Sequence, residues 1–473
     1  MKNTIRNFVA LTIFIVTTVS CSNEFKVRKK SDTVLDNQAL TIDGNFGQAI
    51  NGKSFQQEVL ISHKNYQYAG FYNKDRHVCV ARRKLPSGQW EIVELDDYFF
   101  RSNDAHNTIS MGVCPADGTI HLSFDHHNDS LNYRVSEKGV ATEPESVQWN
   151  ASLFSPVLSE LERGKKIRIT YPRFWQTPEG GLQFCYRRGG SGNGDRMLVD
   201  YDPHSGQWEN TRQIDSGDGM FRDGMGESGS RCSYPNGYDY GPEGLLHATW
   251  VWREDAQGSN HDLMYAWSDD GGVTWYNNNG RLLNEPAHVN STGIKVVDIG
   301  REYGLMNTHG QAIDKEGRVH VIMWHCTDET LEKAGSEPGE FRWGAPEARR
   351  YHHYWRDLNG NWQHHQLPWI AGDRPKLFVD ETNTVFVIHS ARLKTQNNNL
   401  IAEPGDLVIA AASAESEWTD WKIIYVEKGP FVNEMLGDPV RWKSDGILSV
   451  MVQKMPEEKH QPTALRILDF QLR

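Results

Sequence analysis

The sequence predicts an all-β fold, a seven-bladed β-propeller of four-stranded antiparallel blades. Three observations lead there. Apolar runs are short and numerous, no helix-period segment stands out beyond the N-terminus, and aromatic residues make up 11% of the chain. That is the profile of many short strands. One strand pattern, usually opened by glycine, recurs seven times at spacings of about 50 to 75 residues, room for one four-stranded unit each. A polar turn ending in tryptophan recurs beside it. Seven such units close into a ring, which removes exposed sheet edges. Two separate sandwiches are the competing arrangement.

In chain order the recurring strand reads Y-Q-Y-A-G-F-Y from Tyr66, G-T-I-H-L-S-F from Gly118, G-L-Q-F-C-Y-R from Gly181 and G-L-L-H-A-T-W from Gly244. It returns as G-R-V-H-V-I-M-W from Gly317, T-V-F-V-I-H from Thr384 and G-I-L-S-V-M-V from Gly446. The outer turn appears before Trp90, Trp208, Trp362 and Trp418. Its sharpest copy is S-D-D-G-G-V-T-W, Ser268 to Trp275. This copy resembles the Asp-box of sialidase-like propellers, a hairpin turn whose Asp caps backbone N–H groups while its Trp packs between sheets. A segment near Leu40 to Ile42 is placed to complete the last blade beside the terminal strand A-L-R-I-L-D-F.

The N-terminus reads as a targeting segment. Lys2 and Arg6 precede the apolar run Phe8–Val19, and Ser20-Cys21 follows. Residues 1–21 therefore read as a lipoprotein-type signal with Cys21 as the lipidated residue, and ordinary cleavage is the alternative. Residues 22–36, rich in Ser, Lys and Asn, read as a flexible tether, leaving 37–473 as the catalytic propeller. The expected location is the outer membrane at the cell surface, the periplasm or the medium. Membrane contact is expected only through the lipid on Cys21.

The net charge of −12 argues against nucleic acid as a partner, so an anionic substrate needs a local basic patch. Cys79, Cys114, Cys185, Cys232 and Cys326 are odd in number and widely spaced. They form no disulfide framework and are expected to be buried as small hydrophobes.

Chemistry is expected near His106 and His126. The stretch from Asn103 to His127 reads as two strands joined at Asp117-Gly118, and a hairpin brings the two imidazoles to one end of a sheet. Tyr171 in I-T-Y-P-R-F-W, Arg187 and Arg188 in C-Y-R-R-G-G, and Tyr234 in R-C-S-Y-P-N-G also sit at strand ends. The set holds no obvious carboxylate pair, which ordinary glycosidases need. His, Tyr and Arg suit β-elimination from a uronic acid instead. Arg187 can neutralise the carboxylate beside the acidic C5 proton. A neutral His or a Tyr phenolate can take that proton, and a Tyr hydroxyl can protonate the leaving O4. An adjacent Arg is expected to lower the pKa of Tyr171.

The motifs N-D-A-H-N-T-I-S, D-G-T-I-H-L-S-F-D-H-H, T-Y-P-R-F and Y-R-R-G-G carry a resemblance across nearly the whole mature chain. The chain resembles the BNR-type seven-bladed propellers that include the ulvan lyases of polysaccharide lyase families 24 and 25. The resemblance implies cleavage of ulvan, an anionic sulfated polymer of rhamnose and uronic acids, leaving an unsaturated uronyl end. It implies His106 or Tyr171 as base, Tyr171 as acid, and Arg187 with His126 as carboxylate neutralisers. Tyr234, Arg188 and Arg173 are expected substrate contacts, and Lys165, Lys166 and Arg173 are candidate sulfate contacts. Catalysis needs no cofactor on this reading. A structural zinc is implied at His309 in N-T-H-G, Cys326 in W-H-C-T and His353 in Y-H-H-Y-W. Two other functions remain open. One is an α-L-rhamnosidase acting on rhamnose–glucuronic acid linkages, disfavoured because Gln56 and Gln57 stand where that reading wants a His. The other is a non-catalytic glycan-binding lipoprotein.

Overall fold

The computed structural model describes residues 25–472 except 45–46, 52–58, 256–257, 397–398 and 433. The signal segment with Cys21, and Gln56 and Gln57, lie outside the described residues. Within them the protein is all-β, with two short α-helices, Asp328–Ala334 and Pro439–Asp445.

Antiparallel sheets follow one another along the chain. Leu60–His63, Tyr66–Tyr72, His77–Lys84 and Glu91–Phe99 pair in sequence order. Ile109–Val113, Ile120–Phe124 and Tyr133–Val135 make a three-stranded sheet. Two groups come next, one running from Arg168 to Gln213 and one from Arg231 to Tyr276. A single parallel bridge, Gly194 to Cys232, joins them into one larger sheet. Two four-stranded sheets complete the series, Gly310 to Ile370 and Lys376 to Glu427.

The last sheet joins the two ends of the chain. Leu436–Gly437, Ile447–Gln453 and Thr463–Leu472 are extended by Val27–Ala39, which pairs antiparallel with Thr463–Leu472 from Val27↔Leu472 to Ala39↔Thr463. This corrects two expectations. Residues 27–36 are not a tether, and Thr41–Gly44 pairs with Gly47–Ala49 rather than with the terminal strand. The polar composition misleads because this is an outer strand: its polar side chains bond along the sheet, as in Ser31 Oγ to Asp469 and Arg466 to Asp32. Pairing here satisfies an edge that would otherwise be open.

The Ser268–Trp275 turn has the expected form. Asp270 Oδ1 accepts the N–H groups of Val273 (3.0 Å) and Thr274 (2.8 Å), and Trp275 is buried. Gly272 is required there. Its φ is +86°, and a Cβ would come within 2.7 Å of Leu198. The five described cysteines are free and buried, as expected.

Candidate active site

A row of paired residues crosses three strands at one end of the sheets. His127 pairs with Thr170, and Thr170 pairs with Arg187. Each join is irregular. The register slips between His127 and Asp129, where Asn128 has φ +65°, and again between Thr170 and Arg173. Tyr171 lies in the second slip with φ +53°, left-handed backbone that an aromatic residue rarely adopts. Such strain persists where the surroundings over-determine it, most often at functional sites. The bulge turns Tyr171 out of the ladder and toward the histidines.

His106 reaches the same place from the loop before Ile109. Asp104 builds that loop by accepting the His106 backbone N–H (2.9 Å). The same carboxylate bridges two imidazoles: Oδ1 to His106 Nδ1 (2.5 Å) and Oδ2 to His127 Nδ1 (2.7 Å). An ionised carboxylate only accepts, so both Nδ1 atoms carry protons. That leaves Nε2 as the basic nitrogen of a neutral His106 ring. The rings stack at 4.3 Å, and His106 lies 5.8 Å from the Tyr171 ring.

The electrostatics follow from burial. Desolvation lowers the His106 imidazole to about 4, against the pull of Asp104, so the ring is neutral near pH 7. Burial alone would raise the Asp104 carboxyl, but hydrogen bonds from both histidines outweigh it and hold it below the usual range. Tyr171 departs from expectation. Burial, then Tyr234, push its hydroxyl above the ordinary value, and these outweigh the opposing Arg187 and Arg253. The adjacent cation does not give a phenolate.

Arg187 lies beneath the tyrosines, its guanidinium 4.8 Å from the Tyr171 ring and 5.5 Å from the Tyr234 ring. It is fully buried, with Nε and Nη2 lacking hydrogen-bond partners among the described residues. Tyr234 receives a hydrogen bond from Arg253 Nη1 (3.0 Å).

Other expected residues lie elsewhere. His126 is buried, its Nε2 accepts the Asn132 N–H (2.8 Å), and burial lowers it to about 3. It is His127, not His126, that stacks on His106. Arg188 points away from Arg187 because neighbours on a strand face opposite sides, and it pairs with Asp195 at 2.8 Å. Arg173 is buried over the Tyr238 ring (5.6 Å), in a cavity lined also by Asn236, Asp239 and Lys376. Lys165 and Lys166 are exposed, and Lys165 pairs with Glu162.

The residues expected to hold zinc do not fit a metal. His309 Nε2 accepts the Trp324 N–H (3.1 Å), and His353 Nε2 meets His320 Nδ1 (3.0 Å). Cys326 packs with Leu331, Ala345 and Ala348. Strand alternation turns His353 toward Trp418 and Trp421, away from the other two. Among the described residues, the one set of three His, Cys, Asp or Glu ligand atoms within 4.8 Å of one another is Asp104, His106 and His127.

Sequence reading missed Asp104, His127, Arg253 and Arg374. Arg374 donates to Asn307 Oδ1 (2.8 Å) and forms an ion pair with Glu434, and its charge bears on both His106 and Tyr171. The N-D-A-H spacing was a signal for Asp104, since an Asp two residues before a His caps the loop that carries it.

The site therefore defines a class: an all-β protein with imidazoles, phenols and guanidiniums gathered at one end of its sheets. The family model for a BNR repeat-containing family member matches residues 66–369, and the chain belongs to that family. It is 24% identical over 324 residues to an ulvan lyase, long isoform, of Alteromonas sp., covering 56% of this chain and 31% of that protein. A short isoform from Alteromonas sp. (strain LOR) is 22% identical over 379 residues, covering 63% of this chain and 69% of the relative. The chain thus spans about a third of the long relatives it matches. Among solved structures, the polysaccharide lyase Uly1 superposes with a TM-score of 0.71 at 17% identity, over 94% of this chain and 99% of that one. A PL25 ulvan lyase bound to -[GlcA(1-4)Rha3S]- superposes with a TM-score of 0.64 at 13% identity, over 92% and 94%.

Proposed function

We propose that this protein is a polysaccharide lyase that cleaves ulvan by β-elimination, on a seven-bladed propeller closed where Val27–Ala39 meets Thr463–Leu472. The successive sheets supply the units of that ring, and the pairing of the two chain ends supports closure. The observation that carries the activity is the group of Asp104-bridged imidazoles stacked beside a buried tyrosine that lies on Arg187.

Each residue then has one task. Arg187 holds the uronate carboxylate bidentately and lowers the cost of charge at C5. His106, neutral and oriented by Asp104, takes the C5 proton on Nε2. The C5–H electron pair forms the C4=C5 double bond as the C4–O bond breaks. Tyr171, kept as a phenol by burial, gives its proton to the departing O4. The raised Tyr171 favours this division over a tyrosinate base. His127 completes the stack and assists in holding the carboxylate.

The test is ultraviolet absorbance after mixing the protein with ulvan, with Tyr171→Phe as control. A conjugated uronyl product, absent in the control, is the expected result. Released rhamnose without absorbance would mean a hydrolase. Retention of polymer with neither signal would mean a binding protein.

A further inference from the structure

A ladder of alternating cations and rings leads outward from the site. Arg187 lies against Tyr234 (5.5 Å), and Arg253 covers the same ring at 4.6 Å. Arg253 also lies 5.2 Å from Trp343, and Arg342 stacks on that indole at 4.5 Å. The series runs from buried to open: Arg187 is 1% exposed, Arg253 9%, Trp343 is half-buried and Arg342 is exposed.

These three guanidiniums differ from their neighbours. Arg188, on the strand of Arg187, pairs with Asp195, and Arg231, on the strand beside that of Arg253, pairs with Glu254. Arg187, Arg253 and Arg342 have only uncharged partners among the described residues. Arg187 donates to Cys232 Sγ, Arg253 to Asn260, Ser191 and Tyr234, and Arg342 to the Gly258 carbonyl. Arg253 also repels Arg342, which burial and this repulsion hold below its ordinary pKa. Gathering like charges without carboxylates costs free energy in a chain of net charge −12. An arriving anion removes that cost.

We propose that Arg253, Trp343 and Arg342 form a second anion subsite, which takes the sulfate ester on the sugar next to the uronate held by Arg187. This rests on the lyase reading for the position of the uronate. Arg187 sits at the floor beside Tyr171, so the carboxylate of the reacting sugar belongs there. The outer pair meets the neighbouring sugar, where a planar fork matches sulfate oxygens bidentately. Trp343 lies against both guanidiniums and holds them at a fixed spacing.

The experiment compares native ulvan with ulvan desulfated at intact uronates, using wild type, Arg342→Ala and Arg342→Lys. Arg342 is exposed, so its loss leaves the fold intact. Desulfation is expected to raise the wild-type KM about tenfold with kcat within twofold. Arg342→Ala is expected to raise KM on native polymer by a similar factor and to lose most of its sensitivity to desulfation. Arg342→Lys falls between. A wild-type KM for Arg342→Ala on native ulvan, or full multiplication of the two effects, would overturn the subsite. Calorimetric binding of both polymers to Tyr171→Phe and to the Tyr171→Phe, Arg342→Ala double variant gives the same ratio without turnover. If wild type gives no ultraviolet signal on native ulvan, the lyase reading fails, and the calorimetric ratio still decides the subsite.

Discussion

Asp104→Asn isolates the feature on which the proposed chemistry turns. The substitution keeps size and shape but replaces one acceptor oxygen with a donor NH2. Asp104 now accepts from His106 at 2.5 Å and from His127 at 2.7 Å. An amide can accept from only one of them. The other ring must then present a bare Nδ1, which moves its proton to Nε2 and removes the lone pair needed for a base. Each lost charge-assisted hydrogen bond is worth about 1.5–3 kcal/mol. If half to all of one bond is lost from the transition state, turnover falls by about 4- to 150-fold, and a His106 held in the wrong tautomer extends this toward ~10⁴. KM should stay within about threefold, because Arg187 is untouched. The acid limb moves as well. Asp104 is the influence that raises His106 against desolvation, so without it the midpoint falls below its present value of about 4. The assay is initial rate by uronyl absorbance between pH 3.5 and 9. A variant with wild-type kcat, or an acid limb displaced upward, would refute the reasoning.

Four further outcomes follow from the same geometry. Tyr171→Phe should lower turnover by about 10³-fold while polymer binding, read by affinity electrophoresis, persists. His127→Ala should lower kcat with little change in thermal midpoint, since the ring is half-buried at the rim; an unchanged kcat would assign the stack to structure alone. His121, His126 and His389 are each depressed to about 3 by burial. Unfolded histidines take up protons first, so their contribution is intact above pH 6.5 and is lost as pH falls toward 3, at up to about 1.4 kcal/mol per pH unit each. Urea midpoints at pH 7.5, 6 and 5 should therefore decline, and a flat series would contradict this. Asp469 accepts from the buried Arg83 (3.0 Å) and Arg441 (2.7 Å) at the chain-end seam, so Asp469→Asn should cost about 3–5 kcal/mol in the same urea assay.

What the sequence disclosed depended on the range of the contacts. The Ser268–Trp275 turn was legible because every cap falls within seven residues. His106, Tyr171 and Arg187 were legible as motif residues at strand ends. Parity defeated the reading where the backbone breaks its alternation. Left-handed Asp125 (φ +62°) and Asn128 (φ +65°) reset which face follows Phe124, so His127 rather than His126 turns to the site. In the zinc assignment, strand alternation turns His353 toward Trp418 and Trp421, which the motif residues alone do not disclose. Val27–Ala39 was hidden because an outer strand facing water needs few apolar residues. Arg253, Arg342 and Arg374 were hidden because their partners are scattered along the chain and only folding brings them together.

On the proposed function, an acidic chain has to bind a polyanion, a problem that its net charge makes worse. Long-range attraction is absent, so recognition has to come from local cations whose charge is not already spent. Several buried arginines are spent: Arg83 and Arg441 on Asp469, Arg231 on Glu254, Arg301 on Asp223. Arg187 and Arg253, which have no carboxylate partner among the described residues, lie beside Tyr171 and Tyr234, where aromatic faces support the guanidiniums without neutralising them. The rings therefore keep the cations separated and oriented until an anion arrives. Capture then depends on short-range geometry, and salt should weaken binding less than it would for a surface of mobile lysines, because the innermost charge is fully desolvated. Selectivity for a polymer carrying anions at a fixed spacing follows from rigid cations at a fixed spacing, which a diffuse basic patch would not provide.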